Sequence, residues 1–162
     1  PILAEPNSNI VINTSDSNIS LTLSQSGNSL HLSCSNSKAN LQTILTTVTP
    51  YAYYADDSLL IVEINGIYCQ IPGVSSASTF VSTETCDFED RKLIQQQIQS
   101  SQQLDLELEA VSMSSGKSSK VHFSLNNTLS ELQSFMKKCQ VLLPENITQN
   151  DGNNASLRDS NS

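Results

Sequence analysis

The sequence is short of basic residues. It contains eight lysines and arginines against sixteen aspartates and glutamates, which gives a formal net charge of −8. Nucleic acids and anionic head groups are bound largely through lysine and arginine, so this balance argues against a nucleic acid or an anionic membrane surface as partner. It favours a protein partner with a basic surface, or simply serves solubility.

Long apolar runs are missing as well. No run of about 18 apolar residues occurs, so no membrane-spanning helix is predicted. Hydrophobic residues make up 37% and charged residues 15% of the 162 positions, enough for one domain with a modest core and an uncharged polar surface. The chain begins at Pro1 without a methionine or signal peptide, which is typical of a trimmed or mature form.

Motifs that carry chemistry are also absent. The sequence has no C-x-x-C pair, and His31 and His122 are far apart, so no zinc site is predicted. It has no EF-hand loop, no phosphate-binding glycine loop and no nucleophile elbow. We therefore predict no catalytic residue, no metal ligand and no cofactor, and a protein that is not an enzyme. The abundance of serine leaves a Ser-His-Asp triad possible.

What the sequence does contain is four widely spaced cysteines, namely Cys34, Cys69, Cys86 and Cys139. An even number of cysteines in a chain rich in Ser and Asn predicts two disulfides and an exported protein, periplasmic or secreted. The alternative is four buried free thiols in a cytosolic protein. Three pairings are possible; pairing Cys69 with Cys86 closes the shortest loop and leaves Cys34 with Cys139.

The clearest structural signal is a strand followed by a helix near the C-terminus. Residues 121–125 alternate between apolar and polar, the pattern of a half-buried strand. Thr128 and Glu131 have the spacing of a capping box, and apolar residues at helical spacing predict a helix over 129–139.

Other segments predict a sheet. Alternation and turn residues predict hairpins at 19–34, at 58–72 around Asn65-Gly66, and between 104–111 and 121–125, with a short strand at 79–82. Pro72 and Gly73 are expected to end their strand. Residues 87–99 predict a helix through the stripe Phe88, Leu93, Ile94 and Ile98. Residues 37–49 are ambiguous between helix and strand, and a short helix is favoured.

These elements predict an α+β fold dominated by β-structure. It is an antiparallel sheet or small sandwich of at least six strands, with the 129–139 helix packed on one face. Residues 1–18 are predicted to be an extended N-terminal arm, residues 19–143 one β-rich domain, and residues 144–162 a disordered tail.

Two groups of side chains are candidate partner contacts. An acidic row on the predicted strand 104–111 can dock a basic partner, although the simpler interpretation is a solvated strand face. A tyrosine cluster after Pro50 can contact a sugar or a peptide, or can instead plug the edge of the core. The acidic row comprises Asp105, Glu107 and Glu109, and the tyrosine cluster comprises Tyr51, Tyr53 and Tyr54.

A resemblance adds to this interpretation. Leu104–Glu109 (LDLELE) and Lys120–Cys139 (KVHFSLNNTLSELQSFMKKC) resemble the closing strand–strand–helix of small exported bacterial β-sandwich proteins, the invasion-associated locus B group. The resemblance covers the second half, from about Leu59, and implies an exported accessory or virulence-associated protein without an enzymatic centre.

The expected function is a non-enzymatic exported protein–protein interaction domain, such as a secretion-system accessory. The alternatives are an inhibitor or immunity protein whose acidic face blocks a basic enzyme, and a carbohydrate-binding module or hydrolase.

Overall fold

The computed structural model describes residues 8–14, 17–35, 38–126 and 128–142. These residues form nine strands and two helices. In chain order the elements are β1 (Ser8–Thr14), β2 (Asn18–Gln25), β3 (Asn28–Ser35), β4 (Lys38–Thr46), β5 (Asp56–Ile64), β6 (Ile67–Ser76), β7 (Thr79–Ser82), α1 (Phe88–Ser100), β8 (Asp105–Ser112), β9 (Ser118–Ser124) and α2 (Leu129–Leu142).

All described strands belong to one antiparallel sheet in the order β1-β2-β3-β4-β7-β6-β5-β8-β9. The sheet curls, because Gln25 of β2 reaches Ser124 of β9 near the other end of this order. The glutamine Nε2 donates to the Ser124 carbonyl at 3.0 Å, and the Ser124 amide donates back to Oε1 at 2.9 Å. The predicted α+β, β-dominated fold is thus confirmed. Of the two predicted forms, the structure has the single antiparallel sheet, with α2 packed on one face.

The strands follow the alternation in the sequence. In β2 and β8 every second side chain is buried, because successive residues of a strand point to opposite faces. The predicted hairpin at 58–72 is confirmed. Its turn residues Asn65 and Gly66 have φ angles of 51° and 82°, as the mirror-image turn of a two-residue hairpin requires.

The prediction of a helix over residues 37–49 is wrong, since Lys38–Thr46 is strand β4. Of the apolar residues at helical spacing, Leu45 is buried but Val48 is 66% exposed. The side chains that would share one face of a helix are therefore not buried together. Ile44 lies opposite His31 of β3 and Val81 of β7. Ladder bonds on both sides, together with the threonines and β-branched residues, favour the strand over a short isolated helix.

The expectation that Pro72 and Gly73 end their strand is also wrong, because β6 continues to Ser76. The Pro72 carbonyl accepts the Thr83 amide at 2.9 Å. Gly73 is required by packing: a Cβ there would lie 2.4 Å from Cζ of Phe80 and 2.3 Å from a main-chain oxygen of β7.

Both helices predicted from the apolar pattern, 87–99 and 129–139, are confirmed as α1 and α2. Details differ. Ile94 and Ile98 of α1 are buried, but Leu93 is 44% exposed. The capping box is not formed: among the described residues the Thr128 hydroxyl has no hydrogen-bond partner, and Glu131 accepts from the Ser130 hydroxyl.

The core lies between the inner face of the sheet and the helices. Its largest fully buried side chains include Tyr51, Phe80, Phe123 and Phe135. The predicted division into arm, domain and tail stays a prediction. Residues 8–14 of the predicted arm pair with β2 as the edge strand, and the predicted tail 144–162 lies outside the described residues.

Candidate functional site

Two disulfides fix the helices on the inner face of the sheet. Cys34 of β3 is joined to Cys139 of α2, with a Cα–Cα distance of 6.0 Å. Cys69 of β6 is joined to Cys86, just before α1, with a Cα–Cα distance of 5.8 Å. The structure thus confirms two disulfides and forms the pairing that closes the shortest loop.

The acidic row lies on the outer face of β8. Asp105 is exposed, whereas Glu107 and Glu109 are half-buried, and neighbouring members stand roughly 7 Å apart along the strand. His122 of β9 is 3.4 Å from Asp105, and Glu109 accepts from the Ser118 hydroxyl at 3.0 Å. The row therefore points away from the core, as alternation predicts.

Another carboxylate extends this acidic surface to the next strand. Glu63 of β5 lies directly opposite Glu107 of β8 in the antiparallel register. Like charges in opposed positions repel each other, so the pair of carboxylates destabilises this part of the sheet. A basic group of a partner placed between the two strands would relieve that repulsion.

The outer face also carries apolar side chains, which we call the outer strip. These side chains are neighbours on adjacent strands. Val81 lies opposite both Ile44 and Val74. Leu59 lies opposite both Pro72 and Val111. Val74 is 39% and Val81 36% exposed. The outer strip comprises Ile44, Leu59, Ile61, Pro72, Val74, Val81 and Val111.

The outer strip and the acidic row adjoin each other, because Ile61 of the strip lies opposite Glu109 of the row. An apolar patch rimmed by charged residues is the usual anatomy of a protein interaction surface. Both helices contact the sheet through core residues of its inner face. At one edge of the strip, Leu59 and Pro72 share a groove with Asp90 of α1.

The three tyrosines of the cluster do not form one surface. Tyr51 is fully buried, and burial raises its pKa to about 12, against a smaller lowering by the Ser75 hydroxyl. Tyr53 and Tyr54 are 73% and 84% exposed. Lys117 lies over the Tyr53 ring, with Nζ 4.5 Å from the centroid. Within the cluster, only Tyr53 and Tyr54 are therefore open to a partner.

A polar network surrounds Asp56 at the start of β5. Its carboxylate accepts from the Ser112 hydroxyl and from the amide and hydroxyl of Ser114 at 3.0 and 2.9 Å. These hydrogen bonds hold the pKa of Asp56 below its usual value. The hydroxyls of Ser58 and Ser75 also contact each other. The network fixes the β8–β9 turn against β5.

The histidines and carboxylates do not assemble a reactive centre in the described part of the chain. His31 Nδ1 is 2.8 Å from the Thr22 hydroxyl and His122 Nε2 is 3.4 Å from Asp105 Oδ1, so neither of these two contacts involves a serine. No group of three His, Cys, Asp or Glu side chains that suits a metal ion occurs within 8–14, 17–35, 38–126 and 128–142.

An apolar cavity of about 100 Å³ lies between the sheet and the helices. Its walls are mainly leucine and isoleucine side chains, among them Leu21, Leu32, Ile94 and Leu108. Thr43, Thr85 and Arg91 also belong to its lining, but almost all of the surface that faces the cavity is apolar. Next to it runs a groove of about 360 Å³ whose lining includes Glu84, Asp87 and Asp90.

Sequence reasoning missed the outer strip and the cavity, among other features. The outer strip has a signal, because Leu59–Val62 is a continuous apolar run, and such a run places apolar side chains on both faces of a strand. The cavity has none, since it depends on how closely two helices approach a curved sheet.

Neither described helix is long and apolar enough to cross a membrane. Comparisons of the chain with family models, with curated proteins and with solved structures find no match.

Proposed function

We propose that this protein is a non-enzymatic, exported interaction domain that binds another protein through the outer face of its sheet. The observation that carries the proposal is the outer strip beside the acidic row. Apolar area supplies the binding free energy, and the carboxylates select and steer a basic partner.

Export is supported by the two disulfides, because such bonds persist mainly in oxidising compartments. The periplasm and the extracellular space both meet this condition. The resemblance of the second half to the invasion-associated locus B group points the same way and stays a prediction. A secretion-system or virulence accessory role is the form of the proposal that this resemblance favours.

An inhibitor or immunity protein is the closest alternative, and the opposed Glu63 and Glu107 favour it. If acidic residues dominate binding, affinity for the basic enzyme should fall steeply with salt. If the outer strip dominates, affinity should depend only weakly on salt. A carbohydrate-binding module is supported by the exposure of Tyr53 and Tyr54 alone; binding of glycans that is lost on replacing both by alanine would favour it.

The experiment is site-specific photo-crosslinking. A benzophenone amino acid is placed at Val74 in the outer strip and, as a matched control, at Leu93 on α1. The two side chains are 39% and 44% exposed, so they differ in location more than in accessibility. Each variant is irradiated in the envelope and secreted fractions of the producing cells, and adducts are identified by mass spectrometry.

We expect one dominant protein adduct from position 74 and none of that mass from position 93. Adducts of equal yield from both positions, or from neither, would contradict the proposal. The acidic row is tested separately by adding Glu107→Gln to the position 74 variant and measuring the yield of the same adduct. A lower yield would indicate that the acidic row contributes to binding the partner.

A further inference from the structure

A groove adjoins the outer strip, and we call it the acidic groove. Leu59 and Pro72 belong both to the outer strip and to the lining of this groove, so the two surfaces are continuous. Tyr68 of β6 also lines the groove and is 57% exposed. The groove volume of about 360 Å³ lies within the range of roughly 300–1,000 Å³ that is usual for ligand pockets. A partner bound to the outer strip can therefore place a side chain in the groove.

The charge of the acidic groove is negative. Three carboxylates line it near the start of α1, namely those of Glu84, Asp87 and Asp90. No described lysine or arginine belongs to the lining. Glu63 extends the negative charge towards the acidic row, because it lies opposite both Tyr68 and Glu107. A cationic side chain is therefore the occupant that complements the groove.

The three carboxylates have no counter-ion in the described part of the chain. No described lysine, arginine or histidine nitrogen lies within 4.0 Å of their oxygens. Arg91, which follows Asp90 in sequence, instead donates from Nη1 to the Thr85 hydroxyl at 3.0 Å and lies 5.8 Å from the centre of the Phe88 ring. Asp90 is half-buried, so water and salt screen its charge less than that of an exposed acid. The groove thus attracts a cation that the described residues do not supply.

We infer that the acidic groove receives an arginine side chain of the partner protein that binds the outer strip, an inference that rests on the proposed function. A guanidinium binds carboxylates through pairs of hydrogen bonds and stacks on an aromatic ring such as that of Tyr68. Its aliphatic stem can lie along Leu59 and Pro72 while the charged head stays beside the acids. The compact ammonium of lysine has neither the planar fork nor the stacking surface, so arginine fits the groove better.

The first test uses N-acetylarginine amide as the probe, titrated into the full chain and followed by NMR. We expect saturable shifts of the Leu59 methyl signals and of the amide signals of Tyr68 and Gln70, with weaker binding at higher salt. N-acetylcitrulline amide has nearly the same shape without the charge, and N-acetyllysine amide has the charge without the planar fork; both should bind more weakly. Equal affinity of either analogue and the arginine probe, shifts confined to other surfaces, or no binding of the arginine probe would overturn the inference.

The second test compares two acids in the first turn of α1. Asp90→Asn removes a carboxylate from the groove, whereas Glu89→Gln removes one from an exposed residue outside the groove lining. Both variants change the net charge and the helix terminus alike. We expect Asp90→Asn to raise the Kd of the arginine probe at least about threefold and Glu89→Gln to raise it less than about 1.5-fold. Equal effects would overturn the inference. If Asp90→Asn does not fold, Glu84→Gln replaces it, because Glu84 lines the groove from outside the helix.

The crosslink from position 74 separates this inference from the proposed function. We expect Asp90→Asn to lower the yield of the protein adduct and Glu89→Gln to leave it unchanged. Absence of the adduct without either substitution contradicts the proposed function itself. An adduct that forms with the same yield in both variants contradicts only the arginine site.

Discussion

Removing the two disulfides separately should destabilise the protein by different amounts. The bridge from Cys34 to Cys139 spans 105 residues, and the bridge from Cys69 to Cys86 spans 17. The loop-entropy account assigns about 5 kcal/mol to a loop of the first size and about 3 kcal/mol to one of the second. The difference, about 1.6 kcal/mol, follows from the ratio of loop lengths alone.

Burial does not reverse this order. Cys34, Cys139 and Cys69 are 2%, 5% and 1% exposed, whereas Cys86 is half-buried. Replacement by alanine therefore removes two buried sulfurs in the long-loop variant and one in the other. The packing loss adds to the entropic loss and acts in the same direction.

The assay is urea unfolding of two double variants, Cys34→Ala/Cys139→Ala and Cys69→Ala/Cys86→Ala, followed by circular dichroism at constant pH. Free energies of unfolding are compared by linear extrapolation, with the slope m checked for each variant. We expect the long-loop variant to be the less stable. Equal losses, or a larger loss from the short loop, would refute the reasoning that the long bridge restricts the unfolded chain most.

Three further predictions concern single residues. Gly73→Ala should lower the free energy of unfolding by about 1–3 kcal/mol or more, because its Cβ would lie 2.3 Å from a main-chain oxygen. The pKa of Tyr51 is raised from 10.0 to about 12 in the folded protein, so its hydroxyl ionises at a lower pH in the unfolded chain. The free energy of unfolding that Tyr51 contributes is therefore fully present below pH 10 and is lost as the pH rises to 12. Tyr51→Phe should remove that loss. Glu107→Gln should stabilise by about 0.2–1 kcal/mol by relieving repulsion from Glu63, whereas Glu89→Gln should destabilise slightly, because Glu89 lies in the first turn of α1.

Each of these predictions has its own readout. Urea midpoints check the glycine and glutamate variants, and thermal or urea unfolding between pH 9 and about 12 checks the tyrosine. A Gly73→Ala protein as stable as the wild type, an unchanged alkaline profile in Tyr51→Phe, or the same sign of effect from both glutamate variants would each contradict the physical reason given.

The local patterns in the sequence predict most of the strands and both helices. Strict alternation predicts the strand in 104–111. The Asn65-Gly66 turn predicts the hairpin at 58–72, because its geometry depends only on residues that are close in sequence. Residues 37–49 were not predictable in this way. Their apolar spacing suits a helix, and the strand forms because β3 and β7 offer ladder partners on both sides, which is a long-range effect that overrides local preference.

The candidate site was predicted in part. Alternation alone places Asp105, Glu107 and Glu109 on the outer face of β8. It cannot pair Glu63 with Glu107, because that contact depends on β5 lying beside β8, a strand that does not follow it in the sequence. Arg91 also escaped prediction, since a lone arginine in a helix has no sequence signal that it borders a cavity.

The proposed function requires the outer face of the sheet to be a binding surface for another protein. The most direct test is the dissociation constant of the crosslinked partner, measured by calorimetry for Val74→Asp and for the matched variant Leu93→Asp. We expect at least a tenfold loss of affinity for Val74→Asp, because a charge is buried in an apolar contact, and a change below twofold for Leu93→Asp. Equal affinities of the two variants for that partner would contradict it.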